Sequence, residues 1–568
     1  MHVGLGLFHF NPHWGADSRS AYRHCSESLG PFLRALCERP YWRVDLEISG
    51  SGLEFVHKSF PEQGRLIHIL VDRGQIELIS ALYTPSIWVA FPRRDLERSI
   101  EMNRECLKAL GLPITRIFFA QEAFFGAGVS ALCKHFDLAV CKDDYLAYLY
   151  DLDYSQPLFN LNGMPVLVAS GHILNELTRR MRAEPEFAER HRLPFSLLHQ
   201  LAEANSLNRE SKFPAVAGTW RGVTWRWYHC GDGNHFGCIH KPDDLTRCYY
   251  DSTWSALVIS EIDRLREDGV EFHTISEFAA MVSPPERPLP ALIEGAWNAA
   301  KAVGVSCWMG RNATESENDA VVLSAASRAR RRVVEAETLL ATMDGELSQL
   351  RQKLKLAWVA VLNSQISDTL GWTARAVAVS FSLRSSDQAL VLGSQIIEEA
   401  RGRYFEDPMI NGAADTLHTW SRPTYCVEFF GGQGESFGGQ CEPGVDLWEC
   451  DFISSEEYCG VRIPFELDHI VYCPSGMEST PFRISLEELK PDIIALPLAN
   501  GLLQLSNDLF VIKDTAHVHV AALVSKSART MEFAVFGSPK GQRYTWRLYF
   551  ISGGIERAVN YANTINKV

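Results

Sequence analysis

The spacing of hydrophobic and polar positions along this chain changes period twice. Over roughly the first 280 residues, short apolar runs alternate with helical patterns, which predicts parallel strands joined by crossover helices. Examples of these runs are Leu66-Ile67-His68-Ile69-Leu70, Arg116-Ile117-Phe118-Phe119-Ala120 and Leu138-Ala139-Val140-Cys141. The opening run, Met1 to Phe8, reads as a first buried strand rather than a signal peptide, because it lacks a basic n-region and a cleavage site. The polar stretch 172–211 has no strand character and reads as a helical insertion or lid. In Ser283-Pro284-Pro285-Glu286-Arg287-Pro288-Leu289-Pro290 the prolines oppose both helix continuation and central strand pairing, so a first α/β domain is expected over 1–285.

Beyond that break, Val333, Ala336, Leu340, Met343, Leu347, Leu350 and Leu354 recur at three- and four-residue spacing. They predict one apolar stripe on a long helix, the core of a bundle over 286–415 rather than a dimerising coiled coil. From about Tyr425 the pattern turns to period two with β-branched and aromatic residues, which predicts antiparallel strands of a β-sandwich over 416–568. His517-Val518-His519-Val520, Thr530 to Phe536 and Thr545 to Phe550 are its clearest strands. The glycine run Gly431 to Gly439 has no following Lys-Ser or Lys-Thr, so it reads as a flexible loop and not a phosphate loop.

Composition narrows the function. The 568 residues carry a formal net charge of −14, which opposes a phosphate-binding surface, so no nucleic-acid partner is expected. No apolar run approaches the ~18 residues of a membrane span. Fourteen cysteines without a Cys-x-x-Cys pair point to reduced thiols and a cytoplasmic protein. His229, Cys230, His235, Cys238 and His240 cluster in sequence, yet their spacing fits no familiar zinc pattern, and no metal or other cofactor is expected.

In a parallel barrel, groups that do chemistry lie just past the C-terminal ends of strands. Glu122, Asp143, Asp144 and Asp232 qualify by position. Asp232 is flanked by Gly231 and Gly233 and preceded by Trp225 and Trp227. That combination is an Asx turn or a carboxylate in a sugar-binding cleft. Glycosidic bond cleavage needs two carboxyl groups, and Glu122 and Asp232 come from different predicted strands.

Five segments, in order, give the chain a resemblance to glycoside hydrolase family 57. Phe8-His9-Phe10-Asn11-Pro12 is similar to the family's His-Gln-Pro segment, and Gly74-Gln75-Ile76-Glu77-Leu78 to its Gly-Gln-x-Glu. Glu122 falls at the family's nucleophile. Gly231 to Gly237 resembles Asp-Gly-Glu-x-Phe-Gly, with Asp232 on the acid/base, and Asn363 to Trp372 resembles the segment that returns an Asp and a Trp to the cleft.

The resemblance runs from Phe8 to Trp372 and implies an incomplete (β/α)7 barrel with a retaining, metal-free mechanism on α-linked sugars, hydrolytic or transferring. It also implies carboxyl groups about 5–6 Å apart. His9, Asn11, Glu77, Asn234, His235 and Asp368 are then expected at sugar hydroxyls, and Trp225, Trp227, Trp308 and Trp372 as stacking surfaces. The chain departs from the family at Phe10, at Asn234 and in the longer Asp368–Trp372 spacing. Those departures are expected in sugar recognition rather than in the chemistry. Two alternatives stay open: a carbohydrate-binding homologue without turnover, and a metal-dependent deacetylase or α-mannosidase-like enzyme. Against the second, no His-x-x-x-His follows Asp143-Asp144, and His9-Phe10-Asn11 lacks the Asp of a His-x-Asp.

Overall fold

The computed structural model describes the chain from Met1 to Asn566 except for a set of segments, the longest being 172–216, 296–318 and 405–427. The strand His2–His9 is an unbroken apolar run buried on both faces, as a central parallel strand must be. It pairs in parallel with Val44–Glu47 on one side and Val223–Asp232 on the other, and Ile76–Ile79 extends the sheet beyond Val44–Glu47. Val270–Phe272 pairs with its N-terminal half. Gly4 and Gly6 are required here by close approach. A Cβ on Gly4 would lie 2.6 Å from Val270, and one on Gly6 would overlap the Tyr228 ring and its hydroxyl. Tyr228 is the extra residue of a bulge, since Leu5 pairs with Trp227 and Gly6 with His229. Its hydroxyl accepts a hydrogen bond from Trp42 Nε1 at 3.0 Å.

A second sheet runs Ile117–Phe118, Leu138–Lys142, Met164–Ala169, all parallel, and then Leu158–Leu161 in a hairpin with Met164–Ala169. Arg287–Pro288 adds to its edge beside Phe159 and Asn160, so the proline-rich break expected after residue 285 includes an edge strand of this sheet, where a missing N–H is tolerated. The two sheets meet where Cys230 N–H donates to the Gly171 carbonyl at 3.0 Å and Trp227 Nε1 to the Val168 carbonyl at 3.0 Å. The result is an α/β barrel-like fold. The run Leu66 to Leu70 is not a strand. It lies in the helix Pro61–Asp72, where Pro61 takes the first helical position and Ile67 and Leu70 face inward three residues apart.

One end of the barrel interior is stoppered by the helix Ile275–Val282, whose Phe278 packs against Trp225. Asp45 and Glu77 pair in register and hold its first amides: Ile275 N–H donates to Asp45 at 3.1 Å, and Ser276 N–H to Glu77 at 2.9 Å. The Ser276 hydroxyl also donates to Glu77. Glu77 is therefore a helix-anchoring carboxylate and not the sugar ligand expected from its motif. Both its oxygens already serve donors at the start of that helix.

Asp45 is fully buried, and burial first, then the charge of Glu77, push its carboxyl well above the usual carboxylate range. A carboxyl with a raised folded-state pKa binds its proton more tightly when folded. Its stabilising contribution is complete at pH values below the ordinary carboxylate value and is lost as pH rises through the raised one. Asp45→Asn is expected to flatten that decline and to keep or raise stability at pH 7, within about 1 kcal/mol. Asp45→Ala, which orphans the Ile275 amide, is expected to cost roughly 1–3 kcal/mol. Thermal unfolding at pH 5 and pH 8 checks both, and an Asp45→Asn variant with an unchanged pH slope contradicts the assignment.

The stripe Val333 to Leu354 lies on two helices, Asp319–Ala341 and Ser348–Ser364, rather than on one. The first ends as Thr342 and Met343 N–H groups turn to the Leu339 and Leu340 carbonyls. With Ala376–Tyr404 these helices enclose a core of Ala329, Val333, Ala336, Leu350, Trp358 and Ile396.

C-terminal to them lie two antiparallel sheets. Trp448, Val461, Phe533 and Phe550 share one core cluster from both sheets, and the helix Ile555–Asn566 covers part of the larger one. The glycine run is not a loop: Gly432–Glu442 is an edge strand paired with Val445–Ser454. Ladder hydrogen bonds come from backbone, so glycine is admitted at a sheet edge. The expected strand at 517–520 lies outside the described residues. Thr530–Val535 and Arg543–Ser552 are strands as expected. Among the described cysteines, Cys25, Cys106, Cys141, Cys230 and Cys473 are buried, and burial pushes the thiols of Cys25 and Cys106 up to about 12. Among the described residues, no helix is long and apolar enough to cross a membrane.

Candidate active site

The C-terminal ends of the parallel strands gather carboxyl groups. In the first sheet one row of paired residues runs Asp232, His9, Glu47, Ile79 across four neighbouring strands. His9 Nδ1 is hydrogen-bonded to Glu47 Oε2, with both side chains largely enclosed. Glu47 is absent from the sequence-based candidates, although Val44-Asp45-Leu46-Glu47 carries its signal. Period two there puts Val44 and Leu46 in the outer core, so both carboxylates take the opposite, inner face.

Glu122 follows Ile117–Phe118 in a short 3-10 turn with φ +58° and ψ +12°, and Ala123 is also left-handed at φ +50°. Two successive non-glycine residues in that region store strain, which persists only where the surroundings enforce it. Here the enforcement is visible on both flanks. Ala123 N–H donates to the Ala120 carbonyl at 2.9 Å, Trp88 Nε1 to the Phe124 carbonyl at 3.3 Å, and Phe125 exchanges two backbone hydrogen bonds of 2.9 Å with Gly295.

The turn after Asp232, Gly233–Phe236, is seated against the first helical layer. A Cβ on Gly233 would overlap the Phe10 ring, and one on Gly237 would overlap the Glu27 carbonyl and lie 2.7 Å from Ser28 Cα. Phe236 packs edge-on against Phe32 at 5.3 Å. The glycines of this motif are thus demanded by packing. Phe10 is buried between Phe32 and Gly233, so its replacement of a family histidine is a packing change and not the change in sugar recognition expected from sequence.

Asn11 Nδ2 donates to Asp368 Oδ2, joining the end of the first strand to the 3-10 turn Ser367–Thr369 beyond the second bundle helix. Asn11 is 3% exposed, and its Oδ1 is enclosed with no hydrogen-bond partner among the described residues. Asp143, just past Leu138–Lys142, accepts from Ser170 Oγ at 2.7 Å at the end of the neighbouring strand.

Trp225 and Trp227 are 1% and 2% exposed and belong to the inner core, so neither is a stacking surface as expected. Both precede the strand end by several residues, where side chains pack inside the sheet. The side chains of Asp232, Asn234 and His235 and the residues Asp144, Trp308, Trp372 and 172–211 lie outside what the structure describes, so the separation of the two candidate carboxyl groups does too. His229 stacks on Phe8 at 4.3 Å in the outer layer, whereas Cys230 belongs to the inner core, so these two metal candidates face opposite ways. Among the described residues no group of three His, Cys, Asp or Glu side chains is arranged to hold a metal ion. Carboxylates at several strand ends, with a histidine and an asparagine between them, suit proton transfer and stabilisation of developing positive charge.

Known proteins resemble parts of this chain. Residues 13–172 match the model of Glycosyl hydrolase family 57. The chain is 27% identical over 143 residues to an α-amylase of Pyrococcus furiosus, an alignment covering 25% of this chain and 22% of the other. It is 28% identical over 120 residues to a 4-α-glucanotransferase of Thermococcus litoralis, covering 21% and 18%. The alignments therefore span about a fifth of those relatives. In fold, the chain is similar to an α-mannosidase of Enterococcus faecalis with a TM-score of 0.59 at 8% identity, over 100% of this chain and 89% of that one.

Proposed function

We propose, from the premise that the chain is glycoside hydrolase family 57-like over residues 13–172, that it is a retaining glycoside hydrolase or transglycosylase acting on α-linked sugars. The observation that carries this reading is Glu122, held left-handed at a strand end by hydrogen bonds on either side of it. Such strain clusters where a reactive group is aimed.

In the reaction, Glu122 as carboxylate attacks the anomeric carbon and forms a glycosyl ester. Asp232 as acid gives its proton to the departing oxygen. Asp232 as base then takes a proton from water or an acceptor sugar, whose oxygen displaces Glu122 and restores the starting configuration. The position of Asp232 in the row with His9 and Glu47 supports its acting at the same end of the barrel. His9, held by Glu47, and Asn11 and Asp368, held by each other, serve sugar hydroxyls together with Asn234 and His235. Trp308 and Trp372 are the remaining stacking candidates. The domains read as an incomplete (β/α)7 barrel over 1–285, a bundle over 286–415 that completes the cleft, and a β-sandwich over 416–568.

Relatives named as α-amylase and 4-α-glucanotransferase favour α-glucans, and the α-mannosidase fold keeps α-mannosides in the test. A panel of 4-nitrophenyl α-glycosides, with products followed by NMR, is expected to show turnover with the α-anomer formed first. First appearance of the β-anomer contradicts the mechanism, and no turnover of any glycoside or oligosaccharide favours a binding protein.

A further inference from the structure

The turn bearing Asp368 belongs to the bundle, yet its partner Asn11 belongs to the barrel, so something must hold the two segments in register. Asp95 occupies the first turn of the barrel helix Arg93–Leu110, where the free N–H groups of the helix end favour a carboxylate. One of its oxygens accepts from Arg330 Nε at 2.6 Å, and Arg330 stands on the bundle helix Asp319–Ala341. The other accepts from Gln365 Nε2 at 2.6 Å, and Gln365 lies three residues before Asp368. Asp95, Arg330 and Gln365 are 2%, 3% and 1% exposed.

The backbone of the same turn is bound to the barrel as well. Ile87 N–H donates to the Gln365 carbonyl at 3.0 Å and Ser367 N–H to the Pro85 carbonyl at 2.9 Å, with an isolated bridge between Ser86 and Ile366.

We propose that Gln365 is a positioning residue that, through Asp95 and Arg330, locks the Asp368 turn onto the barrel and so sets the bundle's contribution to the sugar cleft. The physical reason is that a carboxylate buried among three elements satisfies both oxygens only when the bundle helix and the turn occupy one relative placement. Any slip of the turn leaves a buried charge with a missing donor. Gln365 thereby acts on the cleft without touching sugar.

The proposal rests on the glycosidase reading for its functional part, and its structural part stands alone. The test is Gln365→Met, which keeps size and removes the donor while leaving the Asp95–Arg330 pair. Hydrogen exchange at the Ser367 and Ile87 amides is expected to speed up. On 4-nitrophenyl α-glycosides kcat/KM is expected to fall roughly tenfold or more, with little further loss when Asp368→Ala is added, because both changes remove the contribution of a correctly placed Asp368 to the cleft. Gln365→Asn, which retracts the amide by one methylene, serves as the milder variant and is expected to show the same pattern at smaller size.

Unchanged exchange in Gln365→Met overturns the proposal, and so do losses that multiply with those of Asp368→Ala. If the unmutated protein turns over no glycoside, the glycosidase reading fails, while the exchange result still decides whether Gln365 holds the turn.

Discussion

Replacing Glu122 by alanine is expected to lower kcat on an aryl α-glycoside by at least about 10^3-fold, or ~4 kcal/mol of transition-state stabilisation. Without the carboxylate no glycosyl ester forms, and the space it leaves on the β-face of the anomeric carbon admits a small anion. Added azide is then expected to restore turnover by forming a bond from azide nitrogen to the anomeric carbon as the aryloxide leaves, which gives a β-glycosyl azide. The configuration of that product is decisive. An α-glycosyl azide would mean that Glu122 is not the nucleophile, because only loss of the β-face group lets azide attack there with inversion. The same experiment on Asp232→Ala is expected to give the α-azide, since the glycosyl ester still forms and azide replaces water in the second step. Circular dichroism should be unchanged in both variants. Relief of the left-handed backbone at Glu122 is not available to alanine, which pays the same steric penalty there.

Gly237→Ala is expected to have the largest effect on stability, roughly 3 kcal/mol or more. The new methyl would overlap the Glu27 carbonyl and press on Ser28 Cα, both backbone atoms of the segment His24–Leu29. A flexible side chain would swing aside, but backbone in a packed segment does not. The Gly233–Phe236 turn would have to lift from Phe32 and Trp42, carrying Asp232 out of its row with His9. Activity should fall together with the unfolding temperature. Gly402→Ala is the control. A Cβ there meets nothing within 4 Å, and alanine is the better helix former by about 0.5–1 kcal/mol. Equal thermal midpoints for the two variants would contradict the packing account of the motif's glycines.

The motif around Asp232 illustrates how far residues can be read before they are folded. Its glycines suggested a turn that approaches a ligand, and the turn is there. What the glycines meet, however, is the backbone of residues 27–28 and the ring of Phe10, contacts that no local pattern announces. Glu77 is the converse case. A carboxylate beside an apolar run does need a partner, and its partner is the amide of Ser276, 199 residues away. Trp225 and Trp227 share a motif neighbourhood with Asp232, but their places earlier on the strand put them in the core. The helix Pro61–Asp72 shows a short apolar run with both periods available to it, where Pro61 and the inward spacing of Ile67 and Leu70 decide for helix.

The amino-acid sequence by itself determined the parallel α/β beginning, the helical middle and the antiparallel end, because periods of 3.6 and 2 are properties of consecutive residues. It also determined that Glu122 and Asp143 follow strands and that Asp232 stands at the end of one. Only the tertiary structure decided which strands are neighbours, and hence that His9 meets Glu47 from 38 residues away and Asn11 meets Asp368 from 357. Hydrophobic patterning specifies which face of each element is turned inward and leaves open what it faces. That second choice is made when the elements close around a shared core, and the candidate site lies where those choices converge.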